Sequence, residues 1–185
     1  MEREEVVLLN SAAEPIGTAF KDEVHTTETP LHLAFSCWLL SADGKLLMTR
    51  RALDKMTWPG TWTNSFCGHP GPSEGLEAAL YRRAAQEIGL DPELIAALEC
   101  AVPDFRYRTV DTSGIVENEV CPVFVARLSV SAADAVLAPS PAEVDTWEWT
   151  DPACLAAAAQ AAPYAFSPWL VLELDHTSLR TALGL

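Results

Sequence analysis

Cys67 and His69 lie two residues apart in TNSFCGHPGPSE, the stretch from Thr63 to Glu74. A thiol there can be a nucleophile, a metal ligand, a proton carrier or a small buried side chain, and the residue types alone leave all four open. Further along, VENEV places Glu117 and Glu119 on one face of a strand and Val116, Asn118 and Val120 on the other, because strand side chains alternate. Paired carboxylates on one strand face are by default a solvated surface, and otherwise a cation site. The histidines tilt that choice. Of the four, three (His25, His32 and His69) fall in the N-terminal half beside the same loop, and His32 opens an otherwise apolar strand. Three imidazoles and two carboxylates make a mixed nitrogen and oxygen shell for one divalent metal, with Mn, Zn and Mg all compatible. The spacing of these five positions is not a signature by itself.

The segment that follows, GHPGPSEGLEAALYRRAAQEIGL, resembles the outline of a Nudix box, with Gly68, Glu74, Arg82, Glu87, Gly89 and Leu90 in register. In Nudix hydrolases the glutamates of that helix hold Mg²⁺ against a diphosphate. Here Arg83 stands where the first of the clustered acids would be, and Gln86 replaces another. Metal-assisted hydrolysis needs those clustered carboxylates. A helix with Arg83 and Glu87 on one face is better suited to holding a diphosphate, the cation on its oxygens and the acid on its Mg²⁺, than to cutting it.

The charge distribution points the same way. The 185-residue chain carries a net charge of −14, which argues against nucleic acid or an anionic membrane as partner. Yet seven of its twelve basic residues sit in three short places: Arg50, Arg51 and Lys55; Arg82 and Arg83; Arg106 and Arg108. Such clusters in an acidic chain fit a small anion captured locally, the alternative being surface ion pairs. Five cysteines with no CxxC pair fit a reducing compartment, and four of them read as small buried hydrophobes. The apolar runs are too short and too interrupted to span a bilayer, and the N-terminus is acidic rather than basic. The reading is a cytoplasmic protein of one domain, 1–185.

These residues need elements to position them. EVVLLN (5–10) and EPIGTAF (14–20) read as strands, and LHLAFSCWLL (31–40) with KLLMTRR (45–51) as a hairpin turning at Asp43-Gly44. Residues 52–75 read as a long, aromatic-bearing functional loop. EGLEAALYRRAAQEIGL (74–90) is an amphipathic helix with Leu76, Leu80, Ala84 and Ile88 on one side and Gly89 at its end. Asp91-Pro92-Glu93 signals a short helix to about Glu99. DFRYRTV and GIVENEVCPVFVARL alternate as strands, 129–143 is a surface connection, and DTWEWTD is a further strand. PACLAAAAQAA is a helix, and Ser167-Pro168 starts a last one running toward the C-terminus. Strands with isolated helices and no regular βαβ repeat indicate an α+β sandwich.

LHLAFSCWLL, TRRALDKMTWPGTWTNSFCGHP, PDFRYRTVDTSGIVENEVCPVF and AFSPWLV together resemble the type I isopentenyl diphosphate isomerases, over about residues 4 to 175. That resemblance implies a Nudix-like α/β/α sandwich with a mixed sheet. It also implies interconversion of isopentenyl and dimethylallyl diphosphate, in isoprenoid biosynthesis, by proton addition and removal through a carbocation-like intermediate. Carried over by position, it makes Cys67 and Glu119 the two acid/base groups, with Tyr107 relaying or orienting the proton. In that reading Glu119 gives the proton through Tyr107 and Cys67 takes one as thiolate. His25, His32, His69, Glu117 and Glu119 match the metal shell. Glu87, with the backbone near Cys67, matches the Mg²⁺ that accompanies the diphosphate. Lys21, Arg51, Lys55 and Arg83 match the diphosphate grip. Tyr164 stands where Trp is common and is expected to turn its ring to the cationic carbon. The partner implied is a small isoprenoid diphosphate, and the chain a monomer or weak dimer. Two rivals remain: a Nudix hydrolase, disfavoured by Arg83 and Gln86, and a catalytically silent diphosphate-binding module, which has no use for Cys67, Glu119 and Tyr107 together.

Overall fold

The computed structural model describes residues 3–185. The chain opens with the antiparallel pair β1 (Glu5–Leu9) and β2 (Pro15–Phe20), the one-turn helix α1 (Lys21–Val24) and the short β3 (His32–Leu33). β4 (Phe35–Leu40) and β5 (Leu46–Arg51) follow, then two short strands, β6 (Trp62–Thr63) and β7 (Phe66–Gly68), and the long helix α2 (Leu76–Ile88). β8 (Ile95–Val102), β9 (Arg106–Val110), β10 (Val116–Val120), β11 (Val123–Leu128) and β12 (Val144–Thr150) complete the strands. Three helices end the chain: α3 (Pro152–Ala161), α4 (Pro168–Glu173) and α5 (Thr177–Ala182). Among the described residues no helix is long and apolar enough to cross a membrane.

Two mixed sheets result, one ordered β2-β1-β3-β10-β9 and the other β12-β5-β4-β11-β8. β4 decides the layering, because every one of its residues is buried. Phe35, Cys37 and Leu39 pack with Leu80, Ala84 and Ile88 of α2, while Trp38 and Leu40 pack with Leu155, Leu170 and Leu179 of the C-terminal helices. The second sheet is therefore covered on both faces, and the expected α/β/α arrangement is present.

Several elements differ from the sequence reading, each for a tertiary reason. The strand expected over 114–128 breaks at Cys121-Pro122. It runs parallel to the chain over 32–40, and both pass from the first sheet to the second at the same point. Ala34 N donates to Val120 O at 2.9 Å and Ser36 N to Pro122 O at 3.1 Å across this crossing. The hairpin of β4 and β5 meets only at Leu40 and Leu46, because β6 and β7, inside the expected long loop, pair with β5 and β4 instead. The Ser65 hydroxyl fills the gap, accepting from Leu39 N and donating to Leu47 O, each at 2.7 Å. The helix expected to Glu99 stops after one 3₁₀ turn at Leu94, and Ile95–Val102 instead pairs antiparallel with β11. Partner-strand hydrogen bonds outweigh the local capping signal there. The last helix is two, divided at Leu174 to His176. Cys37 and Cys121 are buried, whereas Cys100 and Cys154 are exposed.

Candidate active site

Glu119 is placed by strand register. On one side of β10 it lies opposite His32 of β3, and on the other opposite Tyr107 of β9. Its two oxygens divide accordingly. Oε1 lies 2.9 Å from His69 Nε2 and 3.3 Å from His32 Nε2, and Oε2 accepts from the Tyr107 hydroxyl at 2.8 Å. Glu117, two residues back on the same face, takes the Thr57 hydroxyl at 2.6 Å and lies 2.9 Å from His25 Nε2. Both glutamates are buried, at 6 % and 5 % exposure, so the default of a solvated strand face is overturned.

His25, His32, His69 and Glu119 each bring one donor atom within 4.8 Å of all the others. His32 Nδ1 donates to the Pro30 carbonyl at 2.9 Å, which fixes the ring and turns Nε2 into the cluster. His25 Nε2, His32 Nε2 and His69 Nδ1 are buried without a hydrogen-bond partner. Burial pushes His69 down to about 4, so it is a neutral imidazole at neutral pH. Burial works to raise Glu119, but the His32 and His69 rings set against it outweigh burial and hold the carboxyl well below the usual range. Imidazole nitrogens and carboxylate oxygens, buried and converging, are what a divalent cation requires, and the residues fit one. Glu117, Cys67 and Glu87 are not part of this group, Glu117 adjoining it through His25.

Cys67 is carried by β7 opposite Ser36 of β4, and α2 closes on it at Gly68, where a Cβ would lie 2.6 Å from Arg83 Cγ and 3.0 Å from the Phe35 ring. That close approach sets Arg83 and Cys67 on one cavity of about 180 Å³. Its wall includes Cys67, Tyr107, Glu119 and Trp169 together with the charged Lys21, Arg51, Lys55, Arg83, Glu87 and Glu143. Burial first, then the charges of Glu173 and Glu87, push the Cys67 thiol up. The group is therefore a thiol in this site, and the expected resting thiolate is not what the surroundings favour. Burial and the charge of Glu119 likewise push the Tyr107 hydroxyl well up, so it remains a donor.

Every cation of the expected diphosphate grip reaches this cavity, and most are paired with acids. Lys21 meets Glu4 at 2.6 Å, Arg83 meets Glu87 at 2.6 Å and Glu143 at 3.2 Å, and Lys55 also bonds Glu143. Arg51 donates to the Thr57 carbonyl at 2.9 Å and lies 5.2 Å from the Trp169 ring centre. Tyr164 is elsewhere. It is 90 % exposed on a 3₁₀ turn, beside a separate hollow with Trp58, Pro59 and Phe166. The turn ends by bridging Phe166 to Trp62, which spends the inward position on Phe166, and the indole lining the cavity is Trp169.

Thr57, Asn64, Glu143, Trp169 and Glu173 escaped the sequence reading. Thr57 and Asn64 lie inside TRRALDKMTWPGTWTNSFCGHP and Trp169 inside AFSPWLV, which is the signal that could have found them; Glu143 sits in a stretch that reads as a connection.

The chain matches the NUDIX domain family over residues 30–170. It is 55 % identical over 181 residues, 98 % of this chain and 96 % of the other, to a Kocuria rhizophila protein named isopentenyl-diphosphate Delta-isomerase. A Leifsonia xyli protein of that name is 56 % identical over 172 residues, 93 % of this chain and 90 % of the other. A crystal structure from Deinococcus radiodurans superposes with a TM-score of 0.68 at 20 % identity, over 93 % of this chain and 98 % of that one. A MutT protein from Methanosarcina mazei gives 0.55 at 16 % identity, over 83 % and 96 %. These two likenesses bear on the fold alone.

Proposed function

We propose, from the premise that the chain belongs to the isopentenyl-diphosphate Delta-isomerases of the Nudix family, that it interconverts isopentenyl and dimethylallyl diphosphate. The observation that carries this reading is one carboxylate, Glu119, divided between a histidine cluster and the Tyr107 hydroxyl on the same cavity as the Cys67 thiol. A hydrolase has no need of that thiol, and its helix would carry acids where this one has Arg83 and Gln86.

An alkene is a poor base, so a proton must be delivered at short range to C4 and another removed from C2, with water kept from the cationic carbon. Cys67 and Glu119 carry these two proton movements between them, and Tyr107 orients Glu119 Oε2. Trp169 offers a π face to the positive charge that develops. Lys21, Arg51, Lys55 and Arg83 take the diphosphate oxygens, fixing the five-carbon tail against Cys67. His25, His32, His69, Glu117 and Glu119 would hold one divalent cation, and the donor set fits Zn or Mn better than Mg. That cation would set the proton affinity of Glu119, while a Mg²⁺ brought with the diphosphate would be shared with Glu87.

Isopentenyl diphosphate incubated with the metal-loaded protein in D₂O, followed by proton and phosphorus NMR, tests the reading. Deuterium in the C4-derived methyl and at C2 with the diphosphate intact is the expected result. Phosphate release with an unlabelled carbon skeleton would make it a hydrolase. Cys67→Ala is expected to abolish turnover with metal content unchanged; loss of the metal would mean that the thiol has been misplaced.

A further inference from the structure

Asn64 lies directly behind Cys67 and is 1 % exposed. Its amide cannot be turned over. Oδ1 accepts from Trp169 Nε1 at 3.1 Å and from the Thr63 hydroxyl at 2.8 Å, so that end must be oxygen. Nδ2 faces the Cys37 and Phe66 carbonyls, both at 3.1 Å, so that end must be nitrogen. It also lies 2.9 Å from the Ser36 hydroxyl, whose own hydrogen goes to the Glu173 carboxyl at 2.9 Å, leaving Ser36 to accept. Thr63 is held in turn by Ser167, which caps α4 through Leu170 N. Four elements, β4, β6, β7 and α4, thus lock one amide.

The Cys67 sulfur sits across the edge of this amide, 3.2 Å from Nδ2 and 3.4 Å from Oδ1. A thiol is a donor and a thiolate an acceptor. The two Nδ2 hydrogens are already taken up by the Cys37 and Phe66 carbonyls and Ser36, so the bond left to the thiol is its own S–H to Oδ1.

We infer that Asn64 is the positioning residue for Cys67, its locked amide accepting the S–H of the thiol through Oδ1 and so fixing where the sulfur and its hydrogen point. The inference rests on Cys67 being an acid/base group of the isomerisation. Preorganised dipoles of this kind act on kcat rather than on substrate capture, because they cost no reorganisation when the proton moves.

The test uses the metal-loaded enzyme and two readouts. In Asn64→Ala, kcat is expected to fall about ten- to a hundredfold, less than for an oxyanion-hole donor because sulfur is the weaker partner, with KM held within about twofold. The S–H Raman stretch of Cys67, isolated by subtracting the Cys67→Ala spectrum, is expected to move to higher frequency as its acceptor is removed. Thr63→Val is the second variant and keeps side-chain shape. It strips one competing donor from Oδ1, leaving that oxygen a better acceptor, so the same stretch is expected to move to lower frequency. A merely structural Asn64 would give no such opposite displacements. A folded Asn64→Ala with parental kcat, or a Thr63→Val stretch at the parental frequency, would overturn the inference. Should Asn64→Ala fail to fold, the Thr63→Val spectrum decides alone. Turnover retained in Cys67→Ala would instead overturn the acid/base reading, and so the two failures are separable.

Discussion

Glu173 is 0 % exposed in the core of the second sheet. Its Oε2 accepts from Trp38 Nε1 at 2.6 Å and from the Ser36 hydroxyl at 2.9 Å, and its Oε1 has no partner. Among the described residues no ion pair includes it. Burial pushes its pKa up to about 8 against an ordinary 4.5; the bonds from Trp38 and Ser36 pull it down only in part, and the charge of Glu119 pushes it up again. The other titratable groups whose charges act with it are Cys37, Cys67 and Cys121, none of them a cation. A carboxyl that is harder to ionise when folded binds a proton in the folded chain that the unfolded chain has already released. Stability from this group is therefore intact below about pH 4.5 and is lost as pH rises toward 8, at about 1.4 kcal/mol per pH unit. Across the window the loss is on the order of 5 kcal/mol, with relaxation around the charge reducing it to about 2–4 kcal/mol. Glu173→Gln keeps an oxygen for Trp38 and Ser36 and cannot ionise. Urea denaturation followed by tryptophan fluorescence, with saturating metal throughout, is expected to find the variant within about 1 kcal/mol of the parent at pH 5 and about 2–4 kcal/mol more stable at pH 8.5. Other titrations are common to both proteins and cancel in the difference. The same stability difference at both pH values would refute the argument, because a neutral or already ionised Glu173 at both would then be required.

Glu143 pairs with Lys55 and with Arg83 in the substrate-free site, and those two cations, working against burial, bring it down to about 2. A diphosphate must displace it. Glu143→Gln is expected to lower KM about three- to tenfold with kcat within about twofold, and a raised KM in steady-state assays would mean that Glu143 holds the cations in place rather than competing for them. Gly89 ends α2 at φ +61°, where a Cβ would lie 2.3 Å from the Ala138 carbonyl oxygen. Gly89→Ala is expected to cost about 2–4 kcal/mol in urea denaturation, and a loss below about 0.5 kcal/mol would show that the 129–143 segment gives way freely. Exhaustive chelation is expected to abolish turnover and lower Tm, with one equivalent of divalent metal restoring Tm and, once Mg²⁺ is supplied with the substrate, turnover; an unchanged Tm would argue against a cation among His25, His32 and His69.

The sequence by itself determined what kind of chemistry this chain holds. Residue types carried the histidine and carboxylate set, the thiol, and a Nudix-like helix rebuilt around Arg83 and Glu87, and local periodicity carried α2 to its end at Gly89. These are readable because each depends on neighbours within a few residues along the chain. Tertiary structure decided how the groups are arranged. Glu117 and Glu119 look like a wet strand face until β3 and β9 are laid on either side of β10 and bury them against histidine and tyrosine. The break at Cys121-Pro122 and the strand at Ile95–Val102 follow from which strands lie alongside, information that no local window contains. The same holds for the aromatic wall, where the sequence pointed to Tyr164 and packing supplied Trp169. Asn64 against Trp169, Glu143 among the cations and Glu173 under the sheet are each joined to partners across long stretches of chain. Their chemistry exists only once burial has removed the water that would otherwise serve them.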